Sequence, residues 1–373
     1  VAPARRQFGG GTVLPAAMLT TVPDLALFSA ALGERAANDE FTGSVLVTLG
    51  DQRLLAGAYG YANRAYRAPC TLDTRFDTAS VTKLFTAVAV LQQIERGAFT
   101  LETSAVEYLG LTGTTISPDV TPYHLLTHTS GIADDADESD GERYEDLFVD
   151  EPTYAFTETA HHLPHFVDKP PRFAPGEGCR YCNVGYILLG LMVERATGGS
   201  YREYVRANVF EPADMSRSAF LRMDVVAPDV AEGVEAIRDA DGTITGWRRN
   251  IFSYPPVGDP AGGAYTTVGD LTAFHRALVE GRLLGPESTA AMLVPYAQAE
   301  GYLATGYGLE FRADADGRVR YYGKVGVNFG VSALLRHYPG HGAGDGITLA
   351  MLGVGEDTIW PLVRLFDEAM PHP

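Results

Sequence analysis

Apolar positions along the chain switch between helical and alternating spacing, and the switches separate its two ends from its middle. Leu25, Phe28, Ala31, Leu32 and Ala36 fall near helical spacing and predict an amphipathic helix over residues 23–38, with Gly33 as its weak point. Residues 43–49 and 54–61 then alternate around Gly50-Asp51, the pattern of a hairpin feeding a sheet. Residues 70–76 lead into an apolar helix over 84–96, which Gly97 is suited to end. From Leu101 to about Phe220 the spacing is helical with long irregular connections. A short helix over 121–127 runs into His128-Thr129-Ser130-Gly131, and a strongly apolar one over 184–196 closes at Gly198-Gly199 and continues over 201–209. Helices over 268–281 and 286–293 follow Gly262-Gly263-Ala264-Tyr265. Alternation returns over 308–313, 319–324, 331–338 and 347–354, with turns at Asp316-Gly317 and 342–346, before a last helix over 360–370.

Strands therefore come from both ends and helices from the middle. That predicts an α+β fold, an antiparallel sheet flanked by the N- and C-terminal helices with a mostly helical lobe inserted. Residues 1–373 are expected to form a single unit, with an α/β lobe from about 20–75 and 300–373 and a helical lobe over about 76–299.

Composition narrows the function without naming it. Of 373 residues, 46% are hydrophobic and 20% charged, the balance of an ordinary globular protein, and the net charge of -18 argues against a nucleic-acid partner. No apolar run is long enough to span a bilayer, so no membrane partner is expected. Residues 1–15 carry Arg5 and Arg6 with no apolar stretch behind them, which gives a cytoplasmic expectation for a chain that starts at Val1. Cys70, Cys179 and Cys182 cannot build a disulfide framework, and the single C-x-x-C has no second pair to complete a zinc site. In the acidic segment 134–150 a calcium-loop register would make Ala136 the first ligand, so a solvated loop is expected. Pro164 breaks the spacing of His161, His162 and His165 with Asp168. Neither a metal nor a cofactor is expected.

The chemistry concentrates in three short motifs. Ser80 and Lys83 stand three apart where the polar run Asp77-Thr78-Ala79 opens into the helix, so their side chains share a face. A serine hydroxyl needs a base, and a lysine whose pKa is lowered by burial and cationic neighbours supplies one. The helix start adds backbone N–H groups that favour an oxyanion. Tyr181-Cys182-Asn183, just before the helix at 184, offers a phenol for proton relay and an amide for a substrate carbonyl. Lys324-Val325-Gly326 ends a predicted strand, placing a cation where it depresses the phenol's pKa or binds a carboxylate, and a glycine where a substrate backbone lies close.

With these three motifs in order, the chain resembles the class C serine β-lactamases and the related penicillin-recognising DD-peptidases, esterases and acyltransferases. The likeness runs from about Phe28 to Phe366 and includes Leu125-Leu126-Thr127-His128-Thr129-Ser130-Gly131-Ile132, residues 181–190 and residues 263–284. It implies Ser80 as acyl-accepting nucleophile, Lys83 as its base and Tyr181 as second acid/base. It further implies Asn183 as holder of Lys83 and of the acyl carbonyl, Lys324 as partner of Tyr181 or of a carboxylate, and the N–H groups of Ser80 and Val327 as oxyanion hole. Two positions depart from the family pattern. Cys182 stands where serine is usual, and Val325 supplies no hydroxyl for a β-lactam or peptide carboxylate. Three readings follow. One is a serine hydrolase or acyltransferase passing the acyl group of a small ester or amide to water, an amine or an alcohol. The others are a class C-type β-lactamase or D-alanyl-D-alanine carboxypeptidase, and a catalytically silent binding protein of this fold. The segments 133–175 and 251–260 are expected to line the cleft and set substrate choice.

Overall fold

In the computed structural model, which describes residues 23–137, 140–299, 303–314, 316–340 and 346–370, the alternating segments of both chain ends pair into one antiparallel sheet. Among the described residues its strands are β1 (Thr42–Leu49), β2 (Gln52–Tyr59), β3 (Ala297–Gln298), β4 (Leu303–Thr305), β5 (Glu310–Ala313), β6 (Val319–Asn328), β7 (Val331–Tyr338) and β8 (Ile347–Val354). Their spatial order is β2-β1-β8-β7-β6-β5-β4-β3. The first strand lies against the last, with Thr42 opposite Val354 and Leu49 opposite Ile347. Every residue of β7 and β8 is buried, as expected of central strands covered on both faces.

Side-chain alternation divides the apolar residues of these strands between two cores. On one face Val45, Val47, Leu334 and Met351 pack with Phe28 and Leu32 of helix α1 (Ala26–Ala37) and with residues of the C-terminal helix Trp360–Ala369. Phe28 meets Phe366 edge-on at 5.1 Å. Asp367 accepts from Arg336 at 2.8 Å and from the Tyr338 hydroxyl, tying that helix to β7. On the other face Leu46, Ala333, Leu335 and Leu352 join the helical layer. At its centre is α2 (Lys83–Glu95), buried from Lys83 to Gln93, a helix enclosed on all sides. Phe85 is held edge-on between Phe210 and Phe274, each at 5.0 Å. Helices α3 (Val184–Thr197) and α4 (Val268–Val279) complete the layer.

The structure corrects several expectations. β6 continues to Asn328, so Lys324-Val325-Gly326 lies within the strand and does not end it. After Tyr201–Val205 the helix widens to a π turn over Arg206–Phe210, and both Val209 and Phe210 enter the core. A hairpin of Val234–Arg238 and Ile244–Arg249 stands in the stretch read as helical lobe. Its charged residues hide the alternation, and Glu235 anchors it by accepting from the Gly330 N–H at 2.9 Å. The turn expected at 342–346 lies outside the described residues except for Gly346, as does the segment 1–15. Among the described residues no helix is long and apolar enough to cross a membrane.

The aromatic contact between the terminal helices generates a stability prediction. Phe366→Ala should lower the free energy of unfolding by about 3–5 kcal/mol, the usual consequence of emptying a fully buried aromatic site. Urea denaturation measures it, and a loss below about 1 kcal/mol would show that the second core closes without this ring.

Candidate active site

Ser80 lies in a 3-10 turn, Ala79–Thr82, that runs directly into α2 at Lys83. Ala79 has φ of 42°, a left-handed conformation that an L-residue with a side chain keeps only when its surroundings enforce it. They do so from three sides. The Ala79 N–H donates to Asp77 Oδ1 at 2.6 Å, Thr78 Oγ1 donates to the Ala264 carbonyl at 2.8 Å, and the Gly263 N–H reaches the Ala79 carbonyl at 3.4 Å. Ser80 is left half-buried at the cleft, and Lys83 is wholly buried beneath it.

The hydrogen bonds of Lys83 all go to uncharged oxygens. Nζ donates to the Ala261 carbonyl at 2.7 Å, to Asn183 Oδ1 at 2.8 Å and to Ser80 Oγ at 3.2 Å. Burial, aided by the neighbouring Lys324 ammonium, lowers its pKa to about 7, against the opposing pull of Asp259 and Asp134. A large fraction of the amine is therefore unprotonated just above neutral pH.

Tyr181 Oη donates to Ser80 Oγ at 2.8 Å. The residue is 42% exposed, yet burial still pushes the phenol's pKa well above the ordinary value. Lys324, expected to depress this pKa or to bind a carboxylate, has its Nζ 2.5 Å from Glu310 Oε1, and the Glu310 carboxylate pushes the phenol further up. Sequence reading missed Glu310, a lone glutamate at a strand start with no motif around it. It also missed how His128 supports the tyrosine. That ring packs on Tyr181 at 4.5 Å, and its Nδ1 accepts from the Cys182 N–H at 3.2 Å. Burial, with Lys324 and Lys83 adding to it, holds the imidazole pKa well down, so the ring is neutral.

Asn183 is oriented from a distant segment. Its N–H and that of Val184 donate to the two carboxylate oxygens of Asp134 at 2.8 and 3.0 Å, and Asn183 Nδ2 reaches the same group at 3.3 Å. Asp134 thus closes the N-terminus of α3, where backbone donors and the helix dipole favour an anion, and turns the Asn183 carbonyl oxygen toward Lys83. This overturns the reading of 134–150 as solvated throughout. Asp134, Asp135 and Asp137 are buried, the first on α3 and the last against Arg172 at 2.8 Å and Arg180 at 2.5 Å.

Along β6 the side chain of Lys324 and the backbone of Gly326 lie on the side of Tyr181 and Ser80, whereas Val325 packs against the second core. The valine therefore matches an apolar environment, and its side chain is not among those the structure brings to the cleft. A Cβ on Gly326 would lie 2.1 Å from the Thr78 carbonyl and 3.1 Å from the Ser80 nitrogen, so only glycine lets the strand approach this closely. Val327 borders the cleft beside Ser80.

Other candidates disperse. Cys182 is buried with Sγ 3.7 Å from the Ile132 carbonyl, and burial raises its pKa well above the ordinary thiol value, so it fills space. His162 faces Asp259 at 3.4 Å, His165 faces Glu151 at 3.3 Å, and His161 Nδ1 accepts from the Glu158 N–H. Among the described residues no group of His, Cys, Asp and Glu is arranged to hold a metal. The cleft itself encloses about 720 Å³, counting space continuous with solvent. Ser80, Tyr181 and Asn183 form its floor, and both segments expected to line it contribute walls: Asp135, Tyr144 and His162 from one, Tyr254, Val257 and Asp259 from the other.

A family model described as Beta-lactamase matches residues 28–358. The chain belongs to the beta-lactamase family. Within that family it is 35% identical to Esterase EstB of Burkholderia gladioli over 202 residues, 52% of this chain and 50% of that one. It is 29% identical to Penicillin-binding protein 4 of Amycolatopsis lactamdurans over 318 residues, 80% of this chain and 78% of that one. The crystal structure of a penicillin-binding protein from Bacillus halodurans superposes with a TM-score of 0.82 at 33% identity, covering 90% of this chain and 99% of that one. The chain spans about half or less of several curated relatives it matches, EstB among them.

Asp134 gives this family member's site a measurable dependence. In Asp134→Ala the Asn183 and Val184 N–H groups lose their acceptor, and stability should fall by about 1–3 kcal/mol. Unfolding in urea tests this, and an unchanged midpoint would mean that water replaces the carboxylate without loss.

Proposed function

We propose that this protein is a serine acyl hydrolase or acyltransferase that forms a covalent acyl-Ser80 intermediate from a small ester or amide. One observation carries the reading: Ser80 Oγ lies within hydrogen-bond distance of both a buried amine with a pKa of about 7 and a neutral phenol, at 3.2 and 2.8 Å. These are the base and the acid that acyl transfer requires, poised on one oxygen.

In this mechanism the neutral Lys83 amine accepts the Ser80 proton as Oγ attacks the acyl carbon. Negative charge develops on the carbonyl oxygen, which the N–H groups of Ser80 and Val327 stabilise. Tyr181 gives its proton to the departing alcohol or amine, and the proton held by Lys83 restores the phenol. Water or another acceptor then gives up a proton to the same pair as it attacks the acyl-enzyme, and Ser80 leaves as a hydroxyl. Asn183 holds Lys83 and the acyl carbonyl, and Lys324 lies against the Tyr181 ring at 4.6 Å. No cofactor takes part in these steps. The names of the penicillin-binding relatives favour a second reading, a β-lactamase, which nitrocefin turnover tests, or a D-alanyl-D-alanine carboxypeptidase, which release of D-alanine from a D-alanyl-D-alanine peptide tests.

Intact-mass spectrometry after addition of p-nitrophenyl butyrate tests the first reading. The expected result is an adduct of one butyryl group that Ser80→Ala lacks, and that clears faster with added amine or alcohol if the enzyme is a transferase. Equal labelling of the variant, or no Ser80-dependent turnover of esters, amides or nitrocefin, would leave a silent binding protein. The pH profile tests the base. Protonated Lys83 is inactive, so kcat/KM should fall about tenfold per pH unit below the lysine pKa of about 7 and level off above it. A profile flat from pH 5 to 8 would remove Lys83 from that role.

A further inference from the structure

Glu310 begins β5, and its register partner on β6 is Gly323, the residue before Lys324. The Glu310 Oε1 to Lys324 Nζ distance is 2.5 Å, with the lysine side chain 1% exposed and that of the glutamate 19%. The protein therefore neutralises, with its own carboxylate, the cation that lies 4.6 Å from the Tyr181 ring. The surrounding surface offers no substitute: among the described residues lining the cleft are Asp77, Asp135 and Asp259 but no lysine or arginine. Lys83 is committed to three oxygens beneath Ser80.

An acyl donor carrying a carboxylate faces two unfavourable outcomes here. It either displaces Glu310 and leaves that carboxylate without its cation, or it lies unpaired among aspartates. A donor without a carboxylate meets neither. Resting on the acyl-transfer reading above, we propose that Glu310 is a specificity-determining residue that occupies Lys324 and tunes the cleft to acyl donors bearing no carboxylate, neutral or cationic. This goes beyond Val325 as an account of substrate choice, because the valine side chain is turned into the second core.

The test uses phenylboronic acid and 3-carboxyphenylboronic acid, whose boron accepts an electron pair from Ser80 Oγ as the serine proton passes to Lys83. Calorimetry on the wild type, Glu310→Gln and Ser80→Ala gives the ratio of the two dissociation constants. The wild type should bind the uncharged boronate at least tenfold more tightly, with the gap narrowing as salt is added. Glu310→Gln, which frees Lys324, should shift the ratio at least tenfold toward the carboxylate. Equal or tighter binding of the carboxylate by the wild type would overturn the proposal even if the variant fails to fold. So would a ratio that Glu310→Gln leaves unchanged. Ser80-dependent binding with the wrong ratio defeats the role of Glu310 alone, whereas no Ser80-dependent binding and no ester turnover defeat the acyl-transfer reading and this inference with it.

Discussion

A buried amine with no carboxylate in contact is the constraint on which the rest of the site depends. Had an aspartate touched Lys83, the ion pair would hold its proton. The structure places two aspartates one step away, near enough to pull on the amine, and each also holds a neutral dipole that meets it. Asp134 fixes Asn183, whose carbonyl oxygen meets Nζ. Asp259 Oδ1 accepts from the N–H groups of Ala261 and Gly262 at 2.7 and 3.0 Å and so shapes the turn that presents the Ala261 carbonyl. The adjoining Pro260 lies against α3 where a Cβ on Gly190 would be 2.1 Å from its ring, so helix packing fixes the same turn.

The position of Ser80 is fixed by the sheet as much as by its own helix. Alternation along β6 lets one strand serve two cores, with Val325 sealing the far face while Lys324 and Gly326 turn to the near one. Because Gly326 has no Cβ, the strand backbone closes directly on Thr78 and Ser80. A conformation as uncommon as that of Ala79 survives because backbone hydrogen bonds hold it on one side and a covered sheet blocks it on the other.

What the sequence made legible was what local spacing encodes. Ser80 and Lys83 share a face because of helical geometry, Tyr181 and Asn183 precede an unmistakably apolar helix, and the strands 331–338 and 347–354 are read to the residue. What it hid depends on partners far along the chain. Asp134 stands in an acidic run that looks solvated until α3 supplies two donors, and Glu310 gains meaning only when β5 sets it beside Lys324. Gly323 and Gly326 interrupt the alternation of β6, so its true end at Asn328 was not visible. The hairpin at 234–249 was obscured by its charged side chains, and the π turn at Arg206–Phe210 has no signature in apolar spacing.

The pairing of β1 with β8 has a consequence for the order in which the molecule is made. Thr42 must wait for Val354, and Leu49 for Ile347, before the centre of the sheet is closed. By then Ser80, Lys83, Tyr181 and Asn183 have long left the ribosome, yet β6, which abuts the Ala79–Thr82 turn, emerges well after all four. A nascent chain thus carries these four residues unassembled and leaves one edge of β1 unpaired until β8 emerges. Activity in such a topology is a property acquired late, and a chain stalled before β8 is an aggregation hazard, not a slow enzyme.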